Sequence, residues 1–261
     1  MTRLAQYKAT GILVLAAYGF MIGMNILANA LPINGLTTGE VSDNFENLFA
    51  PTGLTFSIWG LIYLFLGGYT LYQLKIMDSA TSHRRKNIFY KIGLLFCLSS
   101  VANGAWIAAW HYLKLDLSIL LMAVILISLI LTHRILDRES LRGKDYWLIK
   151  APFSLYFGWI TVATIANVTS ALVFYGWEGF GLSEPLWTVI ILGVGMVIGI
   201  LTLLRFKDPL YGGVLLWAYL GIYIKHTSPS GFDNAFPQVI LAVSVTAFLI
   251  LFTTGYVLKK H

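Results

Sequence analysis

Polar residues divide this chain into eight apolar stretches, approximately Gly11–Leu31, Gly53–Leu74, Ile92–Tyr112, Leu117–Leu131, Ala151–Phe174, Leu186–Leu204, Leu210–Ile224 and Phe236–Leu258. A helix needs roughly 20 predominantly apolar residues to cross a lipid bilayer. The pattern therefore predicts an all-α, polytopic membrane bundle of about eight helices. The fourth and seventh stretches are the shortest, and their ends are the least defined.

Within three stretches the large side chains repeat at helical spacing. Phe56, Trp59 and Tyr63 fall at i, i+3 and i+7, which puts them on one face of a helix, and Asn103, Trp106 and Trp110 do the same in the third stretch. In the fifth, Pro152, Tyr156, Trp159, Ala163 and Asn167 form one continuous face. An asparagine turned toward lipid tails would leave its amide unpaired, so Asn103 and Asn167 are expected to face inward. Two readings of the stripes compete. Aromatic rings gather at membrane interfaces whatever the function, and Trp147, Trp177 and Trp187 fit such a belt. Trp59, Trp106 and Trp159 lie deeper, beside inward-facing polar groups, as the walls of a ligand pocket would.

Charge sharpens the topology. Sixteen of the eighteen Lys and Arg residues fall on one side of the predicted bilayer; only Lys114 and Lys225 fall opposite. The poorer side carries Glu40, Asp43, Glu46, Asp116, Glu178, Glu184 and Asp233. The positive-inside rule then predicts a multi-pass cell-membrane protein with both termini cytoplasmic. Arg3 and Lys8 before an apolar run ending Ala28-Asn29-Ala30 resemble a cleavable signal. That run is about 20 residues long, beyond the usual apolar segment of such signals, so a retained first helix is expected. The outer loop from Pro32 to Pro51 is the longest on its side, a lid in one reading and a solvated connector in the other. Gly19-x-x-x-Gly23 and Gly195-x-x-x-Gly199 allow close helix approach, within the chain or in a homodimer.

Composition agrees. Hydrophobic residues make up 57% and charged residues 11%, where a soluble domain has about a quarter charged. The net charge of +6 is already explained by the loops, and no basic-aromatic module points to nucleic acid. Cys97 stands alone within an apolar run, a packing residue with no second thiol to pair with.

The three stripes resemble the TspO/MBR family, the tryptophan-rich sensory proteins that include the mitochondrial translocator protein, or peripheral benzodiazepine receptor. Trp59-Gly60-Leu61-Ile62-Tyr63 followed by Gly67 is similar to the family's W-x-x-L-Y-x-x-x-G, with Ile62 in place of Leu. Asn103-Gly104-Ala105-Trp106 matches N-x-x-W, and Trp159 through Ala163 and Thr164 to Asn167 matches W-x-x-x-A-[ST]-x-x-N. The resemblance covers about residues 10–175. It implies a five-helix domain over 1–175 with three additional helices over 176–261. It also implies a pocket for porphyrins (tetrapyrroles), sterol-like and benzodiazepine-type ligands, carried by Trp59, Tyr63, Asn103, Trp106, Trp159, Ala163 and Asn167. Phe56, Trp110 and Tyr156 join the candidate site from the stripes themselves. The chain departs from the family in its first loop, where the only aromatics are Phe45 and Phe49. It departs again at Leu155, where the family has proline, and in the lack of a basic residue over Val173–Phe180. Leu220 to Lys225 fits the loose sterol-recognition pattern elsewhere.

No Asp, Glu, Lys or Arg interrupts the apolar core of any stretch, which argues against a proton-coupled pump and a carboxylate-based hydrolase. No H-E-x-x-H, G-x-S-x-G or P-loop occurs. His111 reads as an interfacial histidine, and the sequon Asn167-Val168-Thr169 lies within a span. The expectation is a non-enzymatic membrane receptor or binding protein for a hydrophobic or amphipathic molecule, with lipid and that ligand as its partners. The alternatives are a facilitator-type transporter and light-dependent porphyrin breakdown near Trp59 and Trp159.

Overall fold

The computed structural model describes residues 3–31, 33–78 and 82–260; Pro32, at the head of the long loop expected on the outer side, lies outside them. Eight long helices follow one another: α1 Arg3–Ala30, α2 Ile58–Asp78, α3 His83–His111, α4 Leu115–Leu136, α5 Ala151–Phe174, α6 Glu184–Phe206, α7 Pro209–Thr227 and α8 Pro237–Lys260. Among the described residues there is no strand. All but α7 are long and apolar enough to cross a membrane. Helix α7 has 19 residues, about 28 Å at 1.5 Å per residue and close to the thickness of the hydrocarbon core. Its hydropathy is lower because it carries Tyr211, Trp217 and Tyr219, yet Tyr211, Val214, Leu215, Ala218, Tyr219 and Ile222 are all buried. A shielded helix has less need to be apolar all round. The chain is a multi-pass helical membrane protein.

Local chemistry fixes the helix ends. Ser82 caps α3, its hydroxyl accepting from the Arg85 amide. Between α6 and α7 the chain turns in two residues: Lys207 takes the left-handed conformation (φ 49°), and Asp208 accepts from the Tyr211 amide ahead of Pro209.

The expected stretch from Gly53 is not helical throughout. Gly53–Ser57 forms a 3₁₀ turn and the α-helix starts only at Ile58. Phe56 therefore lies in the 3₁₀ turn and not on the α-helix that carries Trp59 and Tyr63. The loop between α1 and α2 also contains more structure than a plain connector: a short helix spans Thr38–Asp43.

The chain forms two compact units. The first comprises residues 3–38 and 59–156. In it α3 is the axis, packed against α1 on one side and α4 on the other. Two-thirds of its most apolar window is buried, against 28% for α6 and α8. Its core is aromatic: Tyr69 stacks parallel to Phe89 and meets Phe96 and Phe153 edge-on, with centroids 5.4 and 4.7 Å away. Among the described residues, nothing lies within 4 Å of where a Cβ on Gly19 or Gly23 of α1 would stand.

The second unit comprises residues 39–58 and 157–260. Helix α8 runs along both α6 and α7. Gly195 and Gly199 of α6 face Tyr219 and Leu215 of α7, so this pair serves packing inside the chain. The segment 39–58 is stitched to α7. The Thr52 amide donates to the Gly221 carbonyl, the Trp217 indole to the Thr55 carbonyl (2.9 Å), and His226 Nε2 lies 2.8 Å from the Leu48 carbonyl.

On the basic side of the first unit, Asp145 accepts from Tyr72 of α2 (2.6 Å) and Arg85 of α3 (2.8 Å). Partial burial pushes its carboxyl pKa up, but these hydrogen bonds and the guanidinium charge outweigh it and hold the value below the ordinary one. A depressed carboxylate stabilises fully above its unfolded pKa, about 3.9, and the contribution vanishes as pH falls through the folded value. Because the pair is partly exposed, its worth is about 1 kcal/mol. Asp145→Asn is expected to melt a few degrees lower than the parent at pH 6, the two curves converging below about pH 4. A gap that stays constant down to pH 3 would contradict the assignment.

Candidate functional site

A polar thread runs through the aromatic centre of the first unit. Asn25 on α1 donates its amide to the Met21 carbonyl (2.9 Å) and to Asn103 Oδ1 (2.8 Å). Asn103 on α3 in turn donates to the Tyr156 hydroxyl near the start of α5 (3.1 Å). Asn103 and Tyr156 are fully buried, 1% and 0% exposed. Each amide thus finds its partner inside protein, as lipid surroundings demand. Trp59 stands edge-on to Tyr156 (6.0 Å) and stacks on Tyr63 (5.2 Å, planes 19° apart). The Tyr63 carbonyl accepts from Tyr18 of α1 at 2.9 Å, where Gly67 leaves room for the phenol.

One group in this cluster is left over. The Tyr63 hydroxyl is buried and faces the Asn103 amide, yet makes no hydrogen bond of acceptable geometry among the described residues. A buried hydroxyl without a partner costs about 1–3 kcal/mol, so an acceptor or donor delivered to it would be well rewarded.

Trp106 and Trp110 have a different setting. They stack on each other at 5.6 Å, and the Trp110 indole donates to the Thr38 carbonyl. Next to them His111, the last residue of α3, is buried. Its ring nitrogens lie 3.1 Å from the Thr38 hydroxyl and 3.0 Å from the Ile33 carbonyl. Trp110 and His111 thus tie down the first part of the loop between α1 and α2.

The other four candidates belong to the second unit. Phe56 meets Trp159 edge-on at 5.7 Å, Ala163 is half-buried, and Asn167 is 2% exposed. That burial closes the sequon at Asn167 to modification. Sequence reasoning missed Asn25 and Tyr18. The signal for Asn25 was available: it is an amide within a span and obeys the same inward rule as Asn103. Tyr18 has no comparable signal.

A family model described as TSPO-like protein matches residues 11–256, from the first helix to the last. The chain belongs to the TSPO-like family. Comparisons with curated proteins and with solved structures gave no match. The TSPO-like match extends over both units, including the three helices after residue 175 that the motif resemblance did not reach. Of the family-like motif positions in this TSPO-like chain, Trp59, Tyr63, Asn103 and Trp106 fall in the first unit, and Trp159, Ala163 and Asn167 in the second.

Proposed function

We propose that this TSPO-like protein is a membrane receptor or carrier for a flat hydrophobic or amphipathic molecule, of tetrapyrrole or sterol type. The buried, unpartnered Tyr63 hydroxyl carries the reading. It lies among the Trp59 indole, the Tyr156 phenol and the Asn103 amide, so stacking surface and a polar handle come together. A ligand carbonyl, hydroxyl or carboxylate meeting Tyr63 gains orientation there, while the rings take its apolar body. In this reading the arginine- and lysine-rich loops and both termini face the cytoplasm, and the protein resides in the cell membrane.

The test is tryptophan fluorescence of the protein in nanodiscs titrated with protoporphyrin IX and with cholesterol. Saturable quenching or a saturable spectral shift with one of them is expected, and Tyr63→Phe is expected to weaken it by about 3- to 10-fold, the worth of one hydrogen bond. Absence of saturation with both compounds, or full affinity in Tyr63→Phe, would remove the reading. Saturable uptake of the same compound into proteoliposomes would make the receptor a carrier.

A further inference from the structure

The loop from Tyr175 to Ser183 reads Y-G-W-E-G-F-G-L-S and has an unusual backbone. Gly176, Gly179 and Gly181 have positive φ, and so does Phe180 (φ 54°). A bulky residue in that region is a true outlier, and Phe180 is 85% exposed, so burial of its ring does not explain it. The conformation does achieve one thing. It gathers Trp177 and Phe180 against Trp187 of α6, with ring centroids 4.8 Å apart for the two indoles and 5.3 Å apart for Trp177 and Phe180. The Trp187 indole donates to the Gly179 carbonyl, and a Cβ at position 179 would fall onto that indole. Glycine there satisfies both the backbone and the ring.

Beside these rings lies a cavity of about 460 Å³, within the second unit. This is the size of small-molecule pockets. Trp177, Trp187 and the carboxylate residues Glu46, Glu178 and Glu184 line it, with apolar side chains such as Leu172 and Ile191; no Lys or Arg does. None of the three carboxylates makes an ion pair among the described residues.

The lining selects by charge and by size. Three unneutralised carboxylates repel phosphates, carboxylates and the acid groups of porphyrins. A bare metal ion is far smaller than the space and has no use for indole faces. An organic ammonium uses both features: its charge is attracted by ring faces and carboxylates together, and its alkyl groups fill apolar volume. We propose that this cavity binds a quaternary or tertiary alkylammonium group, seated between Trp177, Trp187 and the carboxylates of Glu178 and Glu184. That group can arrive on a free amphipathic cation or as the choline headgroup of a lipid. The site is independent of the one proposed around Asn103 and stands or falls separately.

Radiolabelled choline binding to the full-length protein tests it, in nanodiscs of phosphatidylglycerol and in nanodiscs of phosphatidylcholine. Saturable binding is expected in phosphatidylglycerol discs, weakened at least about tenfold in Trp177→Leu and in the double variant Glu178→Gln/Glu184→Gln. It should not be displaced by 3,3-dimethylbutanol, the uncharged carbon isostere of choline. Loss of binding in phosphatidylcholine discs identifies the lipid headgroup as occupant; binding retained there identifies a free cation. Lack of saturable binding in phosphatidylglycerol discs, equal displacement by the neutral isostere, or unchanged binding in the carboxylate double variant would each overturn the proposal. The glutamates are exposed, so the double variant is expected to fold, which a melting curve verifies.

Discussion

Gly158→Leu is expected to destabilise the protein more than any single change on its surface. A Cβ at position 158 would stand 2.8 Å from Val214 Cβ and 3.0 Å from the Tyr211 carbonyl oxygen. Neither neighbour is the free end of a flexible side chain, so relief requires α5 and α7 to move apart. That separation would pull Phe157 from Tyr211, whose rings lie 5.0 Å apart, and break the Tyr211–Thr161 hydroxyl contact at 3.2 Å. Overpacking a tight contact costs about 1–3 kcal/mol for small additions, and leucine adds several carbons. Even Gly158→Ala should lower the melting temperature in detergent by several degrees. Gly19→Ala is the control: among the described residues nothing lies within 4 Å of its Cβ position, and the better helix former should leave stability unchanged or raised by up to about 1 kcal/mol. Equal melting of the two alanine variants would show that α5 and α7 are not in the close contact described.

The second large effect is expected at Asn103. Asn103→Leu removes two hydrogen bonds at once, leaving the Asn25 amide with only its Met21 partner and taking the Asn103 donor from the buried Tyr156 hydroxyl. Hydrogen bonds between membrane helices are worth about 0.6–2 kcal/mol each, so the combined loss should reach about 1–4 kcal/mol. A double-mutant cycle separates the thread from simple packing. Asn103→Leu and Tyr156→Phe should be less than additive in melting free energy, with a coupling of about 0.6–2 kcal/mol. Full additivity would mean that the bond carries no weight. The same variants in the porphyrin titration distinguish structure from recognition: Asn103→Leu should weaken quenching beyond Tyr63→Phe, because it also unseats Tyr156 beneath Trp59.

Much of this architecture was legible in advance, for reasons visible in particular residues. The eight apolar stretches became eight helices because lipid leaves the backbone no other way to satisfy its hydrogen bonds. The same rule placed Asn103 and Asn167 inside. Spacing was silent about local conformation. Phe56 sits three residues before Trp59, but that stretch winds as a 3₁₀ turn, the α-helix begins only at Ile58, and the phenyl ring meets Trp159. His111 read as an interfacial residue at a helix end; the groups that meet its ring belong to Thr38 and Ile33, more than 70 positions earlier. Trp177 and Trp187 read as members of a membrane belt, and nothing in a string of letters discloses that Phe180, with a positive φ, joins them in one cluster.

The attachment of residues 39–58 to α7 also sets a timetable. The Leu48 carbonyl waits for His226, 178 positions downstream. At ribosomal speeds of about 5–20 residues per second, that interval is roughly ten to thirty-five seconds. During that time the nascent segment has emerged without the helix that anchors it. A chain halted after α5 would keep the Trp59 and Asn103 motifs but never receive that anchor. The terminal helices therefore complete a part of the protein that was synthesised near the beginning.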